Sequence, residues 1–329
     1  MRKKRKPDGG GQEGALEKVT LMTGLDYKRI LTEVMPSQEV TIYTYDLFFN
    51  CDVSFYKDSL GHLQNCKIVV NRVKEQKRKE FETALPNVKL TVKEDSHAKI
   101  LLIAPDLVYL TSQNFSDAPD WFQYAVRIKD ADAYRFYYNS VDYYARTGQT
   151  NNIPQSREKV ATLSLSTESQ HGNYMPDYDG ISLTFVDSKL ASVVNWRQKL
   201  TGNFGRNILI CTQTIPDMHY CQETIKSLLS RGNRVYIIAQ RKSGGKLQEL
   251  QKLSQMYPGQ ITCEVYDNLH AKMVLISPKD REKDGIVWLS SQNFGDSSWF
   301  EHTIRLKCKD AYEYYLNKLR DFTGHVLLP

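Results

Sequence analysis

Cysteine is sparse and unpatterned in this chain. Six residues (Cys51, Cys66, Cys211, Cys221, Cys263 and Cys308) contain no Cys-x-x-Cys pair. That spacing argues against a zinc site, and cysteines in apolar or mixed segments read as reduced core residues of a reducing compartment. No run of about 18 apolar residues occurs, so no transmembrane helix and no membrane insertion are expected. The basic start is not followed by an apolar stretch, so no secretory signal is expected either. An intracellular, cytoplasmic protein is the resulting expectation. Nor does one sign of charge dominate: 44 Lys+Arg stand against 38 Asp+Glu, a net charge of +6. That balance permits a polyanionic partner without indicating one, because an ordinary solvated surface carries it too.

What is present is length and repetition. At roughly 100–200 residues per domain, 329 residues suggest two domains or one large fused one. Residues 1–17 are charged and Gly-rich and read as a disordered basic tail. Within it, Arg2 to Lys6 is either a plain solubilising run, the commoner case, or a nuclear signal or nucleic-acid arm.

The rest divides into two copies of one pattern, 18–146 and 180–329, joined by a polar linker at 147–179 with room for an added strand at ATLSLS. His97, Lys99, Ser112 and Asn114 answer His270, Lys272, Ser291 and Asn293. Phe115, Asp117, Trp121 and Phe122 answer Phe294, Asp296, Trp299 and Phe300, and Arg127 answers Arg305. The second copy carries six extra residues within PKDREKDG, which reads as a polar hairpin loop. Upstream, KVTLMTG answers GISLTFV, EVTIYTY answers NILICTQ, and KIVVNRV answers RVYIIAQR. These β-branched runs read as strands, with EQKRKEFETAL and KLQELQKLSQMY as helices between them. Strands alternating with helices predict an α/β fold, two pseudo-two-fold-related halves, each a mixed sheet flanked by helices.

Duplicated folds repeat their core, so repeated apolar positions say little. Repeated His, Lys, Ser and Asn at strand ends call for chemistry. HAKILLI and HAKMVLI read as strands, which puts His and Lys of each pair on one face. VYLTSQN and VWLSSQN read as a second strand ending in a polar turn. One His-x-Lys is weak; two, each followed by Ser-Gln-Asn-Phe, are specific.

The pair resembles the phospholipase D superfamily, whose motif runs His-x-Lys, four residues, Asp, six residues, Gly-Ser-x-Asn. The first copy keeps the spacing and the second keeps it with the loop insertion, so the resemblance covers residues 18–329. The motif Asp is replaced by Ala104 and Ser277, and its Gly by Thr111 and Ser290. The Asp is commonly lost in tyrosyl-DNA phosphodiesterases and in restriction endonucleases of this fold, which tilts the expectation from lipid to nucleic acid.

The resemblance implies a metal-independent phosphodiesterase with one active site shared by the halves, no cofactor and no metal. It implies a phosphohistidine intermediate with His97 as nucleophile and His270 as general acid. Lys99 and Lys272 then clamp the phosphate, and Asn114 and Asn293 donate to its oxygens. Ser112 and Ser291 are weaker candidates, since a serine at a turn is usually a backbone cap. Glu301 is a candidate for orienting a histidine; its counterpart, Gln123, carries no charge. Arg127 and Arg305 read as exposed strand charges, and His62, His171, His219, His302 and His325 as background.

The expected partner is nucleic acid, DNA ahead of RNA. Two basic clusters support it: Arg72, Lys74, Lys77, Arg78 and Lys79, and Arg231, Arg234, Arg241, Lys242 and Lys246. Both read equally as solvated helix faces. A DNA nuclease or DNA-end-processing enzyme leads. A phospholipase D or phosphatidyl transferase, and a catalytically weak nucleic-acid-binding module, are the alternatives. A monomer with an internal pseudo-dimer suffices for catalysis.

Overall fold

A computed structural model describes residues 19–48, 51–117, 120–147, 160–167, 178–185, 194–279 and 284–325. The basic tail, His171, most of the 147–179 connection and the centre of the PKDREKDG loop lie outside them.

The first half runs β1 (Val19–Met22), α1 (Tyr27–Thr32), β2 (Glu39–Asp46), α2 (Val53–Leu60), β3 (Asn65–Arg72), α3 (Glu75–Ala84), β4 (Val88–Val92), β5 (Ile100–Ile103), β6 (Leu107–Thr111), β7 (Ala125–Lys129) and α4 (Ala131–Thr147). After β8 (Val160–Thr167), on the ATLSLS stretch, the pattern recurs as β9 (Tyr178–Phe185), α5 (Trp196–Leu200), β10 (Asn207–Thr212), α6 (Met218–Leu229), β11 (Arg234–Gln240), α7 (Gly244–Gln251), β12 (Ile261–Tyr266), β13 (Met273–Ile276), β14 (Ile286–Ser290), β15 (Thr303–Lys307) and α8 (Lys309–Thr323). Side-chain caps start several helices where a first-turn N–H needs an acceptor: Asp26, Asp52, Asn195 and Asp217 each accept one. α8 stops at Gly324, whose φ of 78° favours glycine.

Each half is a mixed sheet. β2, β3 and β4 are parallel, joined by helical crossovers, as are β10, β11 and β12. β5, β6 and β7 form an antiparallel meander beside them, as do β13, β14 and β15. β1 closes the first half against β7, and β9 takes the same place against β15. β8 pairs parallel to β1 and antiparallel to β9, so the hairpin links the two sheets edge to edge.

The central strands are apolar on both faces, as sheets covered on both sides must be. In β5, Ile100 and Leu102 face a core shared with the second half, while Leu101 and Ile103 face the helices α1 to α3. In β10, Leu209 and Cys211 join the shared core, and Ile208 and Ile210 face α5 to α7. α4 and α8 lie in that shared core. Tyr144 of α4 stacks on Phe300 of the other half at 4.8 Å, and Phe322 of α8 stacks on Phe122 at 4.8 Å. These exchanges lock the halves face to face; truncating buried Phe122 or Phe300 to alanine costs about 3–5 kcal/mol. Ten of the tyrosines are buried, which accounts for much of their number.

Candidate active site

The His-x-Lys segments are extended, but they are not strand. β5 begins at Ile100 and β13 at Met273, each one residue after its lysine. A longer strand was expected because the apolar pattern continues through Ala98 and Ala271. Tertiary pairing diverts the backbone. The His97 and Ala98 N–H groups both donate to the Phe300 carbonyl, at 2.9 and 3.0 Å. Those of His270 and Ala271 both donate to the Phe122 carbonyl, each at 3.0 Å. Each motif is therefore held by the half that does not contain it.

Both lysines are buried, Lys99 at 0% and Lys272 at 1% exposure. Each ammonium bonds back to the carbonyl of its own motif histidine, Lys99 to His97 and Lys272 to His270 at 2.8 Å. Lys99 also lies over the Tyr45 ring, 5.4 Å from its centre. Burial drives the Lys272 ammonium down to about 7, and burial together with Lys272 holds Lys99 well below the ordinary lysine range.

The histidines cross over in the same way. His97 Nδ1 lies 2.9 Å from the Ser291 carbonyl and 3.4 Å from Glu301 Oε2. His270 Nδ1 lies 3.2 Å from Gln123 Oε1, beside the Ser112 carbonyl. A carbonyl only accepts, so Nδ1 carries the proton in each neutral ring and Nε2 keeps the lone pair. Burial and the neighbouring Lys99 push His97 down to about 4, against the pull of Glu301. Burial, Lys272 and Lys99 hold His270 well below its usual range. Glu301 is raised by burial, but His97 and Lys99 outweigh that and hold it below the usual carboxylate range.

Asn293 Oδ1 accepts from the Thr214 N–H at 3.0 Å, which fixes the amide and leaves its NH2 as donor. Asn114 Oδ1 is buried with no hydrogen-bond partner among the described residues. Ser112 and Ser291 are fully buried and hold the wall. Ser112 Oγ accepts from the Tyr124 N–H at 3.1 Å; Ser291 Oγ donates to Glu301 and accepts from the His302 N–H at 2.9 Å.

His302 is not background. Its Nδ1 accepts from the Lys99 N–H at 3.4 Å, so Nε2 carries the proton and donates to the Tyr124 hydroxyl at 2.9 Å. Tyr124 is its repeat equivalent, so this bond crosses the pseudo-two-fold axis. The only signal in the sequence was its place beside Glu301. Arg127 and Arg305 lie away from the cleft; Arg305 sits over Trp288. Ala104 and Ser277 fall at the far ends of β5 and β13, five residues or roughly 16 Å of strand beyond the lysines, so the position of the missing motif Asp lies outside the cleft.

His97, Asn114, Gln123 and His270 line one cleft of about 460 Å³, rimmed by Arg72, Lys242, Trp121 and Trp299. Of the two basic clusters only Arg72 and Lys242 reach it, and Arg72 is paired there with Asp46 at 3.2 Å. Lys77, Arg78, Lys79 and Arg241 pair with Glu80, Glu82, Glu75 and Asp267. Among the described residues no group of three or more His, Cys, Asp or Glu gathers as a metal-ligand set, and no helix is long and apolar enough to cross a membrane.

No family model and no curated protein matches the sequence. Solved structures do. A phosphatidylserine synthase from Haemophilus influenzae Rd KW20, a phospholipase D superfamily member, matches 92% of this chain and 86% of its own, with a TM-score of 0.62 at 14% identity. The chain has the phospholipase D fold. A polyphosphate kinase from Porphyromonas gingivalis matches 88% of this chain and 44% of its own, with a TM-score of 0.50 at 11% identity. Yeast tyrosyl-DNA phosphodiesterase matches 88% of this chain with a TM-score of 0.46 at 12% identity. The likeness to the phosphatidylserine synthase shows the fold, and identities this low leave the substrate to the site itself.

Proposed function

We propose that this chain is a phosphodiesterase acting on nucleic acid, a DNA nuclease or DNA-end-processing enzyme, through a phosphohistidine intermediate. The observation that carries it is the crossed pair of imidazoles in one cleft, each with Nδ1 tied to the opposite half and Nε2 left for chemistry.

Glu301 distinguishes the two histidines. A ring phosphorylated on Nε2 with a proton on Nδ1 carries positive charge, and only His97 has a carboxylate to offset it. His97 Nε2 attacks phosphorus in line, and the bond to the leaving oxygen breaks. His270, beside neutral Gln123, is the stronger acid and delivers its Nε2 proton to that oxygen. It then takes a proton from water as the oxygen attacks phosphorus. The P–N bond breaks and the phosphomonoester departs. Lys99, Lys272 and the Asn114 and Asn293 amides stabilise the phosphoryl oxygens. Burial depresses both histidines and the buried ammonium groups add to it; a phosphodiester offsets the ammonium contribution and so helps His270 hold its proton.

Nucleic acid is favoured by the rim. Arg72, paired with Asp46, and Lys242 flank the cleft for neighbouring phosphates; the central cleft holds no aliphatic side chain among the described residues, although Leu25 and Phe55 line the hollow beside it that shares Ser116 and Trp121. Phosphatidyl transfer is the second reading, on the likeness to phosphatidylserine synthase.

The test is cleavage of end-labelled single- and double-stranded DNA, and of RNA, in excess EDTA, by the parent, His97→Ala and His270→Ala. Cleavage that survives EDTA and falls at least about 1000-fold in both variants is expected. Cleavage abolished by EDTA, or surviving either substitution, refutes the mechanism. Headgroup exchange on phosphatidyl vesicles without any nucleic-acid cleavage moves the function to the second reading.

A further inference from the structure

The two walls of the cleft are repeat equivalents that differ in charge. One pair of hydrogen bonds fixes their register: Thr44 Oγ1 accepts from the Phe115 N–H and Thr212 Oγ1 from the Phe294 N–H, each at 3.0 Å. Thr44 lies beside Val70, and Thr212 beside Ala239, across the paired strands. Counting on from there, Tyr45, Asp46, Arg72 and Val73 answer Gln213, Thr214, Arg241 and Lys242. The equivalent arginines are both paired, Arg72 with Asp46 at 3.2 Å and Arg241 with Asp267 at 2.8 Å. The walls therefore part at two positions. The first has a carboxylate, Asp46, where the second has Thr214, and a valine, packed against its own apolar core, where the second has Lys242.

Lys242 lines the cleft and has no ion pair or hydrogen bond among the described residues. Its wall belongs to His270. Gln213 Oε1 lies 3.5 Å from the Lys272 ammonium; burial depresses that ammonium, and Lys242 is near enough to add to it. The other wall belongs to His97, whose ring meets Tyr45 at 5.0 Å, with Arg72 over the same tyrosine at 4.7 Å.

Direction follows from the chemistry. In-line attack by His97 sends the leaving group toward His270, along the wall that ends in Lys242. That leaves the wall of Asp46 to the retained nucleoside. Past Trp299 that side opens into a hollow of about 310 Å³, whose lining holds Asp296 and Glu301 and no lysine or arginine among the described residues.

We propose that Lys242 is the phosphate subsite of the leaving strand: it binds the next phosphate on the leaving nucleoside, and no counterpart binds one on the retained nucleoside. This rests on the nucleic-acid reading above and on His97 as nucleophile. The cleft then favours a bond next to a strand end, with the end on the His97 side, because a further phosphate there meets carboxylates.

The test uses deoxyadenylyl-deoxythymidine and its two monophosphates, one on each terminal hydroxyl. The two carry the same added charge on opposite sides of the scissile bond. The nucleoside that the plain dinucleotide releases free of phosphate is the leaving one. In the parent at low salt, a phosphate on the leaving nucleoside is expected to raise kcat/KM about fivefold or more, and one on the retained nucleoside is not. Lys242→Met should lose that gain and Lys242→Arg should keep it, and the gain should shrink as salt is added. No gain from the leaving-side phosphate, equal gains from both, or a gain that survives in Lys242→Met overturns the subsite and leaves the nucleic-acid reading standing. A folded parent that cleaves none of the three overturns both.

Discussion

Replacing Lys272 by methionine should make the protein more stable while removing its activity. The ammonium sits at 1% exposure and is held from 10.5 down to about 7 by burial. At about 1.4 kcal/mol per pH unit, that displacement is roughly 5 kcal/mol of cost to the folded state when the group is charged. Methionine has similar length and no charge, but it leaves the His270 carbonyl without its 2.8 Å donor, a loss of about 1–2 kcal/mol. The net gain is about 3 kcal/mol, or about 5 °C or more in Tm. That gain holds below pH 7 and is overtaken as pH rises. Below pH 7 both folded and unfolded chains hold the proton, and the full cost is present. Between about 7 and 10.5 the folded lysine sheds its proton while the unfolded one keeps it, so the parent gains stability as pH rises. Thermal denaturation of parent and Lys272→Met therefore finds the variant more stable by about 3 kcal/mol at pH 6 and the parent more stable by about 1 kcal/mol at pH 10. Millimolar phosphate should stabilise the parent by binding the cleft and the variant much less. A variant no more stable than the parent at pH 6, or a gap unchanged with pH, refutes the claim that this lysine is a buried charge waiting for an anion.

Three further outcomes follow from the crossed geometry. Gln123→Glu gives His270 a carboxylate like the one Glu301 gives His97; it should raise the His270 pKa and carry the alkaline limb of the kcat/KM profile upward, and an unmoved limb argues against His270 as the acid. Glu301→Gln should cost at least about tenfold in kcat and lower the acid limb, because a carboxylate that raises the His97 pKa is gone. His270→Asn, given a p-nitrophenyl phosphodiester whose leaving group needs no proton, should release one equivalent of nitrophenol and accumulate a phosphate on His97 detectable by mass spectrometry after alkaline quench; release without a covalent adduct rules out the phosphohistidine.

Much of this molecule was legible in the linear chain, for a physical reason. The two His-x-Lys and Ser-Gln-Asn-Phe sets recur at matching positions, and a duplicated chain preserves polar residues at strand ends only where they meet something other than solvent. The β-branched runs and amphipathic segments marked the alternating strands and helices, because side-chain periodicity is a local property. What crosses between the halves was not legible. That Phe122 and Phe300 supply carbonyls to the opposite motifs, that the Ser291 carbonyl meets His97, and that His302 reaches Tyr124 are all contacts between residues about 150 to 200 positions apart. The charged clusters stayed open for the same reason: whether a cation is paired depends on which carboxylate the fold brings beside it, and Arg72, Lys77, Arg78, Lys79 and Arg241 are paired on their own helix or at strand ends. The sequence by itself determined the duplicated α/β architecture and the four residues of each motif. Only the tertiary structure decided that each histidine is held by the other half and that one of them alone has a carboxylate, because those facts depend on two surfaces meeting.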